Sequence, residues 1–211
     1  MLYKLAHILR DCFPWLWDVV GIINSMLFVL RYRSCFILIP KILEKYGHEN
    51  NFMIAPLRKD NVDSLASFFK RQPKSAFDYF KPHEFDRKSL ITLAKDKSFL
   101  AFLVINKHRT EFIDNKNEGE QVVGYFFLRS FFFGKCYRGY ITDFQHRRMG
   151  INKLMGKCAT DIAVNFRLPM FGTISPENIA SMKSAETVNK VRIIKTLDNG
   201  DYYVEYLPAN F

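Results

Sequence analysis

The chain has 211 residues, 48% of them hydrophobic and 25% charged. That composition suits one globular domain with an extension and excludes both a disulfide-stapled miniprotein and a disordered chain. The 31 Lys and Arg against 21 Asp and Glu leave a formal charge of +10, which favours anionic partners such as phosphates, nucleic acid or acidic lipid headgroups without choosing among them.

Cys12, Cys35, Cys136 and Cys158 are scattered and show no CxxC spacing. They are read as reduced thiols of an intracellular, cytoplasmic protein, with no metal site and no disulfide framework.

Residues 1–48 form an apolar extension that differs from the rest. Between Asp18 and Arg31 the chain carries twelve almost wholly apolar residues, short of the roughly 20 needed to cross a bilayer. A cleavable signal peptide fits poorly, because Asp11 and Asp18 precede the apolar run without a small-residue cleavage site. Helices are expected at about 2–12, 15–31 and 35–45, broken by Pro14 and Pro40. Two readings of this extension stand side by side. Trp15, Trp17, Leu27, Phe28 and Leu30, flanked by Arg31 and Arg33, suit peripheral contact with the inner face of a membrane. The alternative is a helical hairpin packed on the main domain or on a second subunit of a homodimer.

From residue 51 to 211 strand and helix signals recur in an α/β order. Strands are expected at 52–57, 99–105, 121–131 and 136–143, and helices at 61–71 and 87–95, with the polar stretch 109–120 as a long hairpin loop. A helix over 148–166 follows, because Ile151, Leu154, Met155, Cys158, Ile162 and Phe166 recur on one face while Lys153, Lys157 and Asp161 turn away. A strand at 170–174 leads to a helix opened by Ser175 and Pro176, and strands at 191–196 and 202–207 are joined by a tight turn at Asn199 and Gly200.

The most informative passage runs from Tyr140 through Ile141, Thr142, Asp143 and His146 to Asn152. A strand ends, a compact turn with two arginines and a glycine follows, and a helix begins, so several backbone N–H groups converge on one concavity. Such a nest suits a pyrophosphate: the helix N-terminus adds about half a positive charge, and Gly150 permits close approach of a phosphate.

Arg147, Arg148, Met149, Gly150 and Ile151, with Asn152 where a small residue is usual, resemble the Q/R-x-x-G-x-G/A acetyl-CoA motif of the GNAT acetyltransferase superfamily. The resemblance covers about residues 52–207. A second match lies downstream, where the segment from Ser175 to Ser184 is similar to the family's strand-to-helix element and places Asn178 and Ser181 against the cofactor. It implies a GNAT-like α/β (α+β) fold: a central mixed, mostly antiparallel sheet flanked by helices.

The same resemblance implies a mechanism in which an amine attacks the acetyl-CoA thioester directly in a ternary complex. The strand 136–143 would offer its backbone to the acetyl and pantetheine groups, with an N–H near Ile141 or Thr142 stabilising the thioester oxygen. The general base and acid are less defined. The family's usual helix Tyr falls near Ala185, which leaves Tyr140 or Ser184 as the acid, and the expected cleft-facing residues of the strand, Cys136, Arg138 and Tyr140, include no convincing base.

His83 is the best remaining base, with a pKa near 6.5 when unperturbed. Its setting, Phe80-Lys-Pro-His-Glu-Phe85, resembles a Pro-His element of GNAT members that acetylate sugars of surface polysaccharides. Asp143 and His146 are fallback candidates, with capping of the turn as their competing role. Glu84 and Arg138 are expected to bind the acceptor, Arg138 favouring an anionic one such as a nucleotide-linked sugar.

The reading is therefore an acetyl-CoA-dependent N-acetyltransferase acting on a small amine, an amino sugar or nucleotide-linked amino sugar of polysaccharide biosynthesis. The competing readings are a protein or peptide N-acetyltransferase of the same fold and a non-catalytic acyl-CoA-binding module. Nucleic acid ranks last as a partner, because the aromatics sit mostly at apolar, core-like positions.

Overall fold

The computed structural model describes residues 14–48, 51–106 and 121–209. The expected helix at 2–12, the side chains of Trp15 and Trp17 and the polar stretch 109–120 lie outside what is described. Seven strands form one sheet: β1 (Phe52–Pro56), β2 (Phe99–Asn106), β3 (Gln121–Phe131), β4 (Lys135–Thr142), β5 (Met170–Ile174), β6 (Asn189–Thr196) and β7 (Tyr202–Pro208). Their order is β1-β2-β3-β4-β5-β7-β6, and every neighbouring pair is antiparallel except the parallel pair β4 and β5.

Both faces of the central strands are covered, which is why β2 and β3 read as nearly continuous apolar runs. Helices α3 (Val62–Arg71) and α4 (Arg87–Lys95) cover one face, where Leu65, Phe68, Phe69 and Leu90 meet Leu103, Tyr125 and Phe127. Asp86 caps α4, its carboxylate accepting from the amides of Lys88 and Ser89. On the opposite face, α5 (Ile151–Asn165) buries Ile151, Leu154, Met155, Cys158 and Ile162, the stripe its spacing predicts, against Phe126 and Leu128.

The helix expected from residue 148 starts three residues later. Arg148 and Gly150 have φ of 65° and 79°, a left-handed conformation that an α-helix cannot include. Helix α6 (Ile179–Glu186) also starts later than Ser175 and Pro176 suggested, with Asn178 as its N-cap.

The extension shares the core beneath α5. Helix α1 (Pro14–Tyr32) sends in Phe28, whose ring stacks on Phe166 with centroids 6.0 Å apart, and α2 (Ile39–His48) buries Ile42, Leu43 and Tyr46. Complete burial of Phe28 contributes about 2–3 kcal/mol of apolar transfer. A hydrogen bond from the Tyr46 hydroxyl to Asp161 (2.7 Å) ties α2 to α5. The inward stripe of this segment packs on the main domain, although α1 and α2 meet at 76° and do not fold back as a hairpin. Its outward stripe stays exposed.

Candidate functional site

The only parallel pairing in the sheet is also its weakest. Strands β4 and β5 are in register at just two positions, Cys136 with Met170 and Tyr137 with Phe171. Beyond these the strands part, so Gly139–Thr142 and Gly172–Ile174 flank a wedge-shaped opening.

The ladder decides which backbone groups face that opening. The N–H of Cys136 donates to the Pro169 carbonyl on the β5 side (3.0 Å), whereas that of Asp143 donates to the Val123 carbonyl on the β3 side (2.9 Å). The β3–β4 ladder has no register shift. With a period of two, the N–H groups of Tyr140 and Thr142 therefore point into the opening and that of Ile141 points to β3. Of the two residues expected to supply the thioester's backbone donor, Thr142 is placed for it. Ile141 is not: its amide belongs to the ladder, and its side chain is buried on the α3 face.

At the wide end of the wedge lies the turn. Asp143, buried in spite of its charge, accepts from Arg71 Nε (2.8 Å) and Gln72 Nε2 (3.0 Å) on one oxygen, and from the Gln145 amide (2.9 Å) on the other, where His146 Nδ1 also lies 3.1 Å away. Burial pushes its pKa up, but these partners outweigh it and hold the carboxyl below its ordinary value. A carboxylate so fully engaged anchors the turn and is a poor proton acceptor, and His146 is drawn into the same cluster.

Past the short 3-10 turn Phe144–His146, residues Arg147, Arg148, Met149 and Gly150 are all exposed. The Arg147 guanidinium lies over the Phe144 ring, 4.9 Å from its centroid. Gly150 is the N-cap of α5, and a Cβ there would meet nothing within 4 Å. It is needed for its left-handed φ, and the space before it is free. Helix geometry leaves the amides of Gly150, Ile151, Asn152 and Lys153 without intrahelical acceptors, and no other acceptor takes them up among the described residues. Asn152 does not disturb this cradle, because its side-chain oxygen accepts a hydrogen bond from the Thr142 hydroxyl.

Arg138 and Tyr140 face α5, as their partners Leu128 and Phe126 across the ladder do. Arg138 is buried at the closed end of the wedge. Its Nη1 donates to Asn189 Oδ1 (2.7 Å), its guanidinium stacks on Tyr206 at 3.7 Å, and its Nε and Nη2 have no acceptor. Tyr206 reaches this position across Gly172, where a Cβ would lie 2.6 Å from its hydroxyl. The Tyr140 hydroxyl lies 3.4 Å from Ser184 Oγ on α6, bridging the opening on the α5 side. Cys136 is wholly buried and its thiol is pushed up to about 12, so it stays protonated.

His83 lies on the other face, among the rings of Phe69, Phe85, Phe99, Tyr125 and Phe127. Its Nδ1 donates to the Glu84 carbonyl (2.8 Å), so its Nε2 accepts from the Tyr125 hydroxyl (3.0 Å). Burial pushes its pKa down, more than the Glu84 carbonyl raises it, and the nearby Arg129 charge pushes the same way. With both ring nitrogens engaged, the neutral imidazole braces this loop against β3 and has no nitrogen free to take a proton from an acceptor. Exposed Glu84 adjoins it. Glu84 and Arg138 therefore occupy opposite faces of the sheet and form no common acceptor site.

Asn178 and Ser181 stand together at the start of α6, the Asn178 side chain accepting from the Ser181 amide (3.1 Å). Two residues absent from the sequence-derived set join them. Tyr79, on the loop before α4, brings its hydroxyl to 3.5 Å from the Glu177 carboxylate on the loop after β5, and both side chains are exposed. Their pairing across the sheet gives no local sequence signal. Among the described residues no three His, Cys, Asp or Glu side chains group as metal ligands.

No family model and no curated protein matches the sequence. Solved structures do match the fold. The GNAT domain of S. lividans PAT superposes with a TM-score of 0.57 at 9% identity, over 72% of this chain and 88% of that domain. The ribosomal-protein-S5-alanine acetyltransferase of Vibrio fischeri gives 0.56 at 14%, over 76% and 94%. AAC(6')-Ib, solved with paromomycin and acetyl-CoA, gives 0.54 at 8%, over 75% and 94%. The chain has the GNAT fold: a seven-stranded, mostly antiparallel sheet flanked by helices, with additional helices at its N-terminal end.

Proposed function

We propose that this protein transfers an acetyl group from acetyl-CoA to the amine of a small acceptor. One observation carries the reading. The wedge between β4 and β5, lined by the unpaired amides of Tyr140 and Thr142, opens onto the free amides of Gly150–Lys153. A diphosphate matches the second set, and an extended arm bearing amides and a thioester matches the first.

In this reading Arg147 and Arg148 add positive charge at the mouth of the cradle, while Asn178 and Ser181 border the arm from α6. The Thr142 or Tyr140 N–H stabilises the developing charge on the thioester oxygen. The neutral amine attacks the carbonyl carbon, a C–N bond forms, the C–S bond breaks, and the thiolate takes a proton from the Tyr140 hydroxyl. The proton released by the amine passes to water or to the exposed carboxylate of Glu177, which Tyr79 orients; His83 holds the loop that presents Tyr79. The acceptor is assigned as an amino sugar or nucleotide-linked amino sugar, on the resemblance of the Pro82–His83 segment and on the polar, hydroxyl- and carboxylate-bearing pair at Tyr79 and Glu177.

Calorimetry with acetyl-CoA, followed by thiol release with amino-sugar nucleotides, free amino sugars and peptides, tests this directly. Micromolar binding with turnover of a sugar amine is expected. Turnover of peptides alone moves the protein to the other acceptor class, tight binding without any turnover makes it a binding module, and no binding by folded protein ends the proposal.

A further inference from the structure

Helix α1 is fixed to the domain along one side and exposes the opposite side. Asn24, Phe28 and Tyr32, four residues apart, face inward. Asn24 donates to Ser98 Oγ (2.9 Å) and the Ser130 carbonyl (3.1 Å), and it accepts from the Phe132 amide (3.0 Å). Arg31 Nη1 donates to the Phe132 carbonyl (2.8 Å). These bonds lock α1 to the turn between β3 and β4.

Two positions round the helix, the outward stripe is apolar: Ile22, Met26 and Leu30 are 60, 67 and 71% exposed, and Ile37 just beyond the helix is 78% exposed. Phe132 and Phe133 on the β3–β4 turn, to which Asn24 and Arg31 bind α1, are exposed as well. Scattered exposed apolar residues need no explanation, but an apolar stripe along one side of an ordered helix marks a contact site.

Charge identifies what covers it. Between residues 19 and 41 the chain has Arg31, Arg33 and Lys41 and no acidic residue, and Lys135 stands at the aromatic turn, 5.3 Å from the Phe133 ring centroid. In a two-fold dimer this patch would meet itself and bring like charges together. An anionic bilayer offers both an apolar phase for the stripe and negative headgroups for the basic rim. The two helices do not form one straight span, because α2 turns 76° from α1 and buries Ile42, Leu43 and Tyr46 in the core. The twelve uncharged residues between Asp18 and Arg31 measure about 18 Å, enough to lie along a surface but not to cross about 30 Å of hydrocarbon.

We infer that α1 and the β3–β4 turn rest on an anionic lipid surface, with the stripe from Ile22 to Leu30 in the headgroup–acyl boundary. The inference does not depend on the proposed chemistry, and its test needs no turnover. Full-length protein is sedimented with vesicles of phosphatidylcholine alone and with added phosphatidylglycerol. Binding to the anionic vesicles is expected, weakening as salt rises. Met26→Asp with Leu30→Asp should lower it at least about tenfold, and Arg33→Glu with Lys41→Glu should abolish the preference for anionic lipid. All four side chains are exposed, so unchanged thermal melts will show that the variants fold. No sedimentation with either vesicle, or binding indifferent to both double variants, overturns the inference. So does a dimer in light scattering that the Met26→Asp, Leu30→Asp pair dissociates, which would give the surface to a second copy.

Discussion

Arg71 and Asp143, 72 residues apart in the chain, meet through a 2.8 Å bond from Nε to Oδ2 that fastens the end of α3 to the turn preceding α5. The turn carrying the free amides is thus held by a helix on the far side of the sheet. Gln72 strengthens the tie, donating from its amide nitrogen to Asp143 and accepting from the Phe144 amide at 2.9 Å.

Asp143→Asn keeps the shape but removes the charge that Arg71 pairs with. Because Arg71 is one-third exposed, water offsets part of the loss, and a destabilisation of about 1–3 kcal/mol is expected. The pH dependence has a definite sign. The carboxyl titrates lower in the folded chain than in the unfolded one, so its contribution is complete above about pH 4 and is lost as the pH falls through the folded value. Thermal melts down to about pH 3 should show a steeper acid loss for the parent protein than for the variant.

Gly150 separates backbone conformation from ligand approach. Gly150→Asn installs a residue that tolerates left-handed φ, in a place where a Cβ meets no neighbour. The melting temperature should change little while acetyl-CoA affinity falls at least about tenfold, the equivalent of one or two lost charge-assisted hydrogen bonds. Gly150→Val adds backbone strain and should lower both. Unchanged affinity in the Asn variant would remove the diphosphate from this turn.

Much of this arrangement was legible in the letters, and what was not has identifiable causes. The strands at 121–131 and 170–174 and the helix at 87–95 match the structure to the residue, because their apolar patterns and flanking caps act locally. The cradle was legible as a turn with Gly150 before an apolar helical stripe. The break at its neighbour Arg148 is not legible, because nothing in an arginine side chain announces a φ of 65°. The side of the sheet on which Arg138 and Tyr140 reach the wedge is not legible for a different reason. Which face Arg138 takes follows from its pairing with Leu128, a register between strands that sequence periodicity alone does not supply. The sequence offers Asp143 both as a fallback acid–base group and as a cap of the turn, and its partners Arg71 and Gln72 at the end of α3 lie too far away in the chain to decide between them.

His83 should make the protein less stable as the medium is acidified, well before the carboxylates titrate. Burial holds its folded pKa below 6.5, so the unfolded chain binds a proton first, and stability falls as the pH drops below about 6.5 towards the folded value. His83→Phe suits the aromatic surroundings but cannot titrate, and should flatten that part of the stability profile. A general base contributes about a hundredfold or more to turnover. If His83 braces the loop, His83→Gln normalised to folded protein should lose less than that and keep the parent's pH–rate profile. A larger loss that also moves the acid limb of the profile would return His83 to the chemistry.

Arg138 combines features that a purely structural arginine does not keep. It is buried, its Nη1 is used by Asn189, its flat face lies on Tyr206, and its Nε and Nη2 donate to nothing. Unmet donors on a buried charge oppose folding, so Arg138→Met, similar in length and compatible with the Tyr206 ring, should leave stability unchanged or raise it. The same donors lie where β4 and β5 diverge, at the closed end of the wedge. Supplying one charge-assisted hydrogen bond to the acyl donor there is worth about 1.5–3 kcal/mol, so the variant's KM for acetyl-CoA should rise by about ten- to a hundredfold. Melting curves and initial rates on one preparation decide the matter. A strongly destabilised variant with an unchanged KM would make Arg138 a packing residue of the α5 face and leave donor recognition to the backbone amides.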